Sequence, residues 1–407
     1  MKNNKTVAII GAGIGGLTAG YELSKKGYKV TVFEKEKEIG GLLSDFEIEG
    51  EKIEKFYHHI FKTDTEIINL IEELGLKEKL KWYKSSTGIC LKGKVYPFNG
   101  VIDLLKFEKL DLISKFRLGL IYLWLKFDNN FSKYENISAV EWMEKLAGKN
   151  AYKVIWKPLL KGKFHKDYKK VAMAWLWARI HTRGGSKGGP ADAKAMAGKE
   201  VLGYMDGGFG QINNKLIKNL KVQTLCPSGI SLDRAISDFD MVIDTRPIEG
   251  VDYIGAVDVV FSSSQSLSKY YWHNVNDLKS PFLVLVQHNN LLKDGGYNGK
   301  NIYYLGTYVP QNHKYFRISE GKIAKEFLKY LPKIFNKFDI DQVDEIRVFK
   351  SKYAQHIVSQ KYKVPSYKVG EKTYRLNFAQ IYPEDRGINF AVKEARKLVK
   401  MIEDDNQ

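Results

Sequence analysis

At 407 residues the chain is long enough for two or three domains, and its 44% hydrophobic and 13% aromatic content excludes disorder as a whole-chain description. Lys+Arg 65 against Asp+Glu 47 leaves a formal charge of +18, most of it lysine. That balance suits a solvated surface, or attraction to an anionic substrate or acidic lipid, better than a nucleic-acid face. Two cysteines, Cys90 and Cys226, make no disulfide framework, no Cys/His cluster offers a metal site, and no stretch reaches the roughly 18 apolar residues of a membrane span.

Residues 6–10 form a short apolar, β-prone run that leads directly into Gly11-Ala12-Gly13-Ile14-Gly15-Gly16. Leu17, Ala19, Tyr21 and Leu23 follow at helical spacing, Gly27 stops the helix, and residues 28–33 make a second strand ending in Glu34. The spacing predicts a βαβ unit of about thirty residues. Gly11 permits the tight turn, Gly13 lets backbone approach a pyrophosphate, and Gly16 lets the helix pack on the sheet, with the helix N-terminus presenting N–H groups to phosphate. Glu34 stands where ribose hydroxyls are bound, and an acid there argues against NADP. The second glycine pair, Gly40-Gly41, brings another loop towards the cofactor and favours FAD over NAD.

Further along, residues 64–74 read as an amphipathic helix and 82–101 as short strands with turns. Residues 106–143 and 172–181 look helical. Within the first, residues 118–125 (LGLIYLWL), flanked by Lys115, Arg117 and Lys126, are expected to be buried, with a membrane-surface contact as the alternative. Residues 182–198 read as a glycine-rich surface loop. A helix over 211–220, a strand at Met241–Asp244, a β region over 256–309 and a helix near 322–331 follow. The tail gives an apolar run at 376–381, a turn through Asp385, Arg386 and Gly387, and an amphipathic helix over 388–402, a second strand–turn–helix. The first residues run straight into the opening strand, so no secretory leader is expected, and a cytoplasmic protein, alternatively peripheral to the membrane, is anticipated.

With these segments in hand the chain resembles the flavin amine oxidoreductase superfamily, and within it the protoporphyrinogen-oxidase-like FAD-dependent oxidoreductases. The resemblance is carried by VAIIGAGIGGLTAGYELSKKGYKVTVFEKEKEIGGL at the start, LGYMDGGFGQI at 202–212, YYWHNVND at 270–277 and NFAQIYPEDRGINFAV at 377–392. It implies an α/β fold: a Rossmann-like FAD-binding domain of the GR2 type with an inserted α+β substrate domain. The expected division is 1–80, 201–255 and 351–407 for FAD, 81–200 for a helical substrate region and 256–350 for a substrate β region.

On that template Gly11, Ala12, Gly13, Ile14, Gly15 and Gly16 cradle the pyrophosphate, and Glu34 and Lys35 meet the adenosine ribose. Gly40, Gly41 and Leu42 approach the flavin side, Val222 lies near adenine, and Gly387, Ile388 and Asn389 open a helix beside the isoalloxazine. Asp385, Arg386 and Gln380 are implied ribityl or phosphate contacts. Leu42, Leu43 and Ser44 stand where the family commonly has an arginine. The segment Phe56-Tyr57-His58-His59-Ile60-Phe61 is similar to a histidine-bearing segment of UDP-galactopyranose mutase, so Tyr57, His58 and His59 are the candidate catalytic residues; Arg179, Arg183, Arg246 and Arg317 are diphosphate-grip candidates by type only. Trp175 and Trp177 read as core aromatics. The expected activity is FAD-dependent oxidation of a sizeable, partly apolar small molecule by hydride transfer to flavin N5. The alternative is a nucleotide-sugar mutase using reduced flavin. No metal and no nucleic acid are expected.

Overall fold

The computed structural model describes residues 4–182, 200–218, 220–224, 229–292 and 296–405. Most of the loop expected over 182–198, together with Arg183 and Cys226, lies outside the described residues.

Strands β1 (Thr6–Ile10), β2 (Lys29–Glu34), β10 (Lys221–Thr224), β11 (Met241–Asp244) and β17 (Thr373–Arg375) form a sheet in the order β10-β2-β1-β11-β17. Every pairing in it is parallel. A parallel sheet is covered on both faces, which explains why β1 is an unbroken apolar run rather than an alternating one. On one face, Leu17, Ala19 and Leu23 of helix α1 (Ile14–Lys25) share a core with Val392, Ala395, Leu398 and Ile402 of α11 (Ile388–Asp405). The opposite face buries Ala8, Ile10, Phe33 and Val242 under Ala235 of α9 (Leu232–Asp238).

Two glycines make the β1–α1 turn possible. Gly11 has φ +109°, and a Cβ there would lie 2.2 Å from Thr245 Oγ1. A Cβ on Gly16 would sit 2.3 Å from the Gly11 carbonyl oxygen, a backbone atom that cannot step aside.

A seven-stranded sheet stands beside the first, in the order β16-β12-β15-β14-β13-β7-β8. It comprises β7 (Thr87–Leu91), β8 (Lys94–Pro97), β12 (Tyr253–Ser263), β13 (Trp272–Val275), β14 (Val284–Gln287), β15 (Asn301–Pro310) and β16 (Val343–His356). Its pairings are antiparallel except that β7 runs parallel to β13. One face is packed by Ile323, Phe327 and Leu328 of α10 (Glu320–Leu328). Smaller sheets pair β3 (Asp45–Ile48) with β4 (Glu51–Glu54), and β9 (Val201–Met205) with β5 (Ile60–Phe61) and β6 (Leu80–Lys84). Helix α2 (Thr65–Glu73) and α8 (Gly210–Ile217) complete the first core.

The helical region has its own core, around Trp142, Phe164 and Trp175. Here the expected continuous helix over 106–143 is corrected. It divides into α3 (Val101–Lys106), α4 (Leu112–Phe127) and α5 (Ala139–Ala147), because Asp111 caps the start of α4 through its bond from the Ser114 N–H (2.8 Å). Residues 118–125 are not uniformly buried either: Leu118, Ile121 and Leu125 are, whereas Leu120, Leu123 and Trp124 face outward. Two more helices, α6 (Lys157–Phe164) and α7 (Met173–His181), close this unit. In the tail the strand falls at Thr373–Arg375 and not over 376–381. Asn377 and Gln380 form a reciprocal capping box that turns the chain.

Replacing Gly16 by alanine is expected to lower stability by about 1–3 kcal/mol, since the added methyl meets backbone on one side and Ile9 on the other; a urea titration measures it.

Candidate active site

The glycine turn, the acid and the second glycine pair converge. Glu34 is 8% exposed; its Oε2 accepts the Ala12 N–H (2.8 Å) and its Oε1 the N–H groups of Lys35 and Glu36. Each carboxylate oxygen keeps lone-pair capacity for a hydroxyl. Gly40 donates to the Ala12 carbonyl (2.8 Å) and forms a parallel bridge with Gly13, setting Gly41 and Leu42 against the same turn. Val222 lies across from Val32 on the neighbouring strand.

Two observations test whether this cradle fits a dinucleotide. A Cβ on Gly13 would meet nothing within 4 Å, so open space adjoins the turn. The first turn of α1 has no side-chain cap, which leaves its N–H groups as donors for a phosphate. The residues fit.

The C-terminal turn comes to the same place. A Cβ on Gly15 would lie 3.7 Å from Leu376 and 3.9 Å from the Ala391 carbonyl, so α1 and the first turn of α11 approach closely. Gly387 and Ile388 open α11, and Asn389 accepts the N–H groups of Glu66 (2.9 Å) and Ile67 (3.2 Å), tying α11 to the start of α2. Gln380 is committed to its capping box and to three carbonyls, with no group left facing a ligand.

Beside this arrangement lies a polar cluster. Asp385 accepts from Lys163 (3.0 Å) and from the Trp175 indole (3.2 Å), and it pairs with Arg179. Burial opposes its ionisation, yet Lys163 and Arg179 hold its carboxyl well below the usual range. Lys163, depressed by burial, lies over the rings of Tyr308 (4.8 Å) and Trp175 (4.9 Å). Trp175 is thus both a core aromatic, fully buried, and a wall of the cluster.

Arg386 donates to the Tyr308 hydroxyl (3.4 Å). Burial, with the Arg386 charge nearby, pushes His58 down to about 3, so it is neutral at pH 7; its Nδ1 bonds the Phe56 carbonyl (2.6 Å). Burial raises Tyr57 as well, against the fields of Arg386 and Arg179. Asp258, 3% exposed, is pushed up to about 8 by burial despite Arg386 and the Tyr57 N–H, and its Oδ2 has no hydrogen-bond partner among the described residues. Counting Lys163, Arg179 and Arg386 against the ionised Asp385, with Asp258 protonated, the cluster carries excess positive charge.

The histidine pair is divided. His58 sits in the field of Arg386, whereas His59 packs with Phe61 (5.4 Å) and Trp272 (5.8 Å) and reaches the Tyr271 hydroxyl (3.4 Å). Tyr57 also packs on Trp272, at 5.0 Å. Of the arginine candidates, Arg179 joins the cluster; Arg246 pairs with Asp244 (2.8 Å) and Arg317 bonds the Asn312 carbonyl (2.7 Å).

Asp258, Lys163 and Tyr308 were not singled out from sequence. Asp258 had a signal, a lone acid inside the apolar run YIGAVDVVF; Lys163, one lysine among many, had none. A cavity of about 790 Å³ is lined by Thr307 and Val309, the neighbours of Tyr308, and so opens on the opposite face of β15. Among the described residues no group of three His, Cys, Asp or Glu could hold a metal ion.

The profile of the family "Flavin containing amine oxidoreductase" matches residues 14–226. The chain belongs to this family. It has a Rossmann-like FAD-binding fold, and its cofactor is FAD. Protoporphyrinogen oxidase 2 of Arabidopsis thaliana is 27% identical over 251 residues, which cover 56% of this chain and 48% of the relative, so the chain spans about half the length of that curated protein. An oxidoreductase from Methanosarcina mazei superimposes with a TM-score of 0.69 at 14% identity, covering 97% of this chain and all of the other. Reduced UDP-galactopyranose mutase gives 0.62 at 13% identity, covering 88% and 84%. At such identities these two likenesses speak for the fold alone.

In the folded chain Asp258 keeps its proton up to about pH 8, while in the unfolded chain it ionises near pH 4. Its contribution is therefore complete at low pH and is lost as pH rises through 8. Asp258→Asn is expected to gain melting temperature relative to wild type from pH 5 to pH 8, with the difference levelling above that; calorimetry across pH reads it.

Proposed function

We propose that this oxidoreductase acts on a sizeable, partly apolar small molecule that carries an acidic group. The observation that supports this most directly is the excess positive charge of Lys163, Arg179 and Arg386 beside the turn that opens α11. Bound FAD supplies the acceptor, at N5, for a hydride from a substrate C–H bond.

The chain's own residues do the rest. Gly11, Ala12, Gly13, Ile14, Gly15 and Gly16 hold the pyrophosphate at the α1 N-terminus, and Glu34 and Lys35 meet the ribose. Gly40, Gly41 and Leu42 cover the flavin side, and Val222 offers backbone to adenine. Gly387, Ile388 and Asn389 aim the positive end of α11 at negative charge that builds up on the isoalloxazine. Asp385, an expected ribityl or phosphate contact, positions Lys163 and Arg179. Arg386 grips the acidic group of the substrate, and protonated Asp258 donates a hydrogen bond. Neutral His58 accepts one, and Tyr57, with Trp272 and Tyr304, forms an apolar wall that excludes water.

The parallel sheet supports a cofactor unit drawn from 1–80, 201–255 and 351–407. The seven-stranded sheet and the helical region support a substrate unit at 81–200 and 256–350. A cytoplasmic location with peripheral contact to a membrane fits the same reading; among the described residues no helix is long and apolar enough to cross one.

The mutase reading has less support. It rests on a shared fold, and among the described residues only Arg179 and Arg386, of the arginines able to grip a diphosphate, lie together.

Anaerobic addition of substrates is the decisive experiment. An oxidoreductase loses its yellow absorbance on addition of its own substrate, whereas activity only after dithionite reduction, together with UDP binding, would favour the mutase. Gly13→Val is expected to keep the wild-type urea midpoint, because its side chain enters open space, and to purify colourless. A yellow variant overturns the proposed cradle. Arg386→Met is expected to raise KM for acidic substrates at least about ten-fold with a smaller change in kcat; steady-state kinetics separate the two.

A further inference from the structure

We infer that helices α3 and α4 form a docking face for an anionic phospholipid surface. This specifies the peripheral contact proposed above and is independent of the redox chemistry.

Helix α4 is apolar on two opposite sides. Ser114, Leu118, Ile121 and Leu125 point into the helical core. About 170° around the helix from that side, Leu112, Phe116, Leu120, Leu123 and Phe127 form a second apolar stripe at i, i+4, i+8, i+11 and i+15. That stripe is in solvent: Leu112 is 79% exposed, Phe116 68% and Phe127 56%. Val101, Ile102 and Leu105 of α3 continue it, and Lys115 holds the two helices together by donating to the Leu105 carbonyl (2.6 Å). An outward apolar side on a helix already anchored by its other side contributes nothing to folding, and a contiguous patch of this kind marks an interaction surface.

Charge decides the occupant. Lys106, Lys109, Lys115 and Arg117 stand beside the stripe, and α4 contains no acidic residue among its sixteen. Asp103 of α3, whose carboxylate accepts from Asn99, and Glu108 and Asp111 in the α3–α4 connection are the nearby acids. A second copy of this chain is disfavoured, because a two-fold contact over the same patch would bring the lysines and Arg117 of both copies together. An acidic bilayer offers both halves of the match: hydrocarbon for Phe116 and Phe127, and phosphate for the bases. Trp124, 49% exposed, suits the headgroup level. At about 1.5 Å per residue α4 is about 24 Å long, so it lies in the interface and does not span it.

The test is sedimentation of the FAD-loaded protein with phosphatidylcholine vesicles, with and without phosphatidylglycerol. Wild type is expected to pellet with the anionic vesicles. Phe116→Glu combined with Phe127→Glu should weaken binding by at least about ten-fold for each side chain lost. Lys106→Glu with Arg117→Glu should abolish the preference for phosphatidylglycerol. Lys279→Glu with Lys329→Glu, which alters the same net charge in the cavity behind β15, should bind as wild type does. All variants should keep the wild-type flavin spectrum and substrate bleaching, which separates this inference from the catalytic reading. The inference is overturned if wild type stays in the supernatant or if the cavity variant loses binding as severely as the α3–α4 variants. It is overturned equally if equilibrium ultracentrifugation finds a dimer that Phe116→Glu dissociates.

Discussion

The close approach of backbone to backbone around α1 is the constraint on which this structure depends. Gly16 has the Gly11 carbonyl where a Cβ would be, and Gly15 has the first turn of α11 at van der Waals distance. A side chain at Gly16 would push α1 off the sheet, and a Cβ at Gly15 would already touch the first turn of α11. With glycine there, two helices from opposite ends of the chain start side by side, and their N-termini contribute partial positive charge to the same region.

The charged cluster follows from the same geometry. Because α11 starts beside α1, the turn before it delivers Asp385 and Arg386 to the face of the seven-stranded sheet from which Tyr308 and Asp258 project, on the adjacent strands β15 and β12. The helical region contributes Lys163 from α6 and Arg179 and Trp175 from α7. Desolvation then sorts the groups: Asp385 is ionised because two cations flank it, and Asp258 keeps its proton because burial outweighs the field of Arg386. One environment gives two carboxyl groups opposite states at neutral pH.

Other acids are buried for structural reasons. Glu54, pushed up to about 7 by burial, accepts from the Phe209 N–H and the Tyr204 hydroxyl, and so ties β4 to the segment before α8. The contrast with Asp258 is informative: Glu54 has its partners within the fold, whereas Asp258 Oδ2 has none among the described residues.

The amino-acid sequence alone determined the opening βαβ unit, the end of β2 at Glu34, the second glycine pair and the start of α11 at Ile388. Each of these depends on local rules: an apolar run, glycine where no side chain fits, and an acid at a fixed distance. Tertiary structure decided the rest. Lys163, Arg179, Asp258, Asp385 and Arg386 are scattered from α6 to α11, and only the sheet order β12-β15, the packing of α6 on β15 and that of Trp175 of α7 on Phe164 of α6 bring them together. The division of His58 from His59, and the outward stripe of α4, were likewise beyond local rules. Both turn on which side of an element meets a core, and a hydrophobic pattern names the apolar positions without naming the neighbour that covers them.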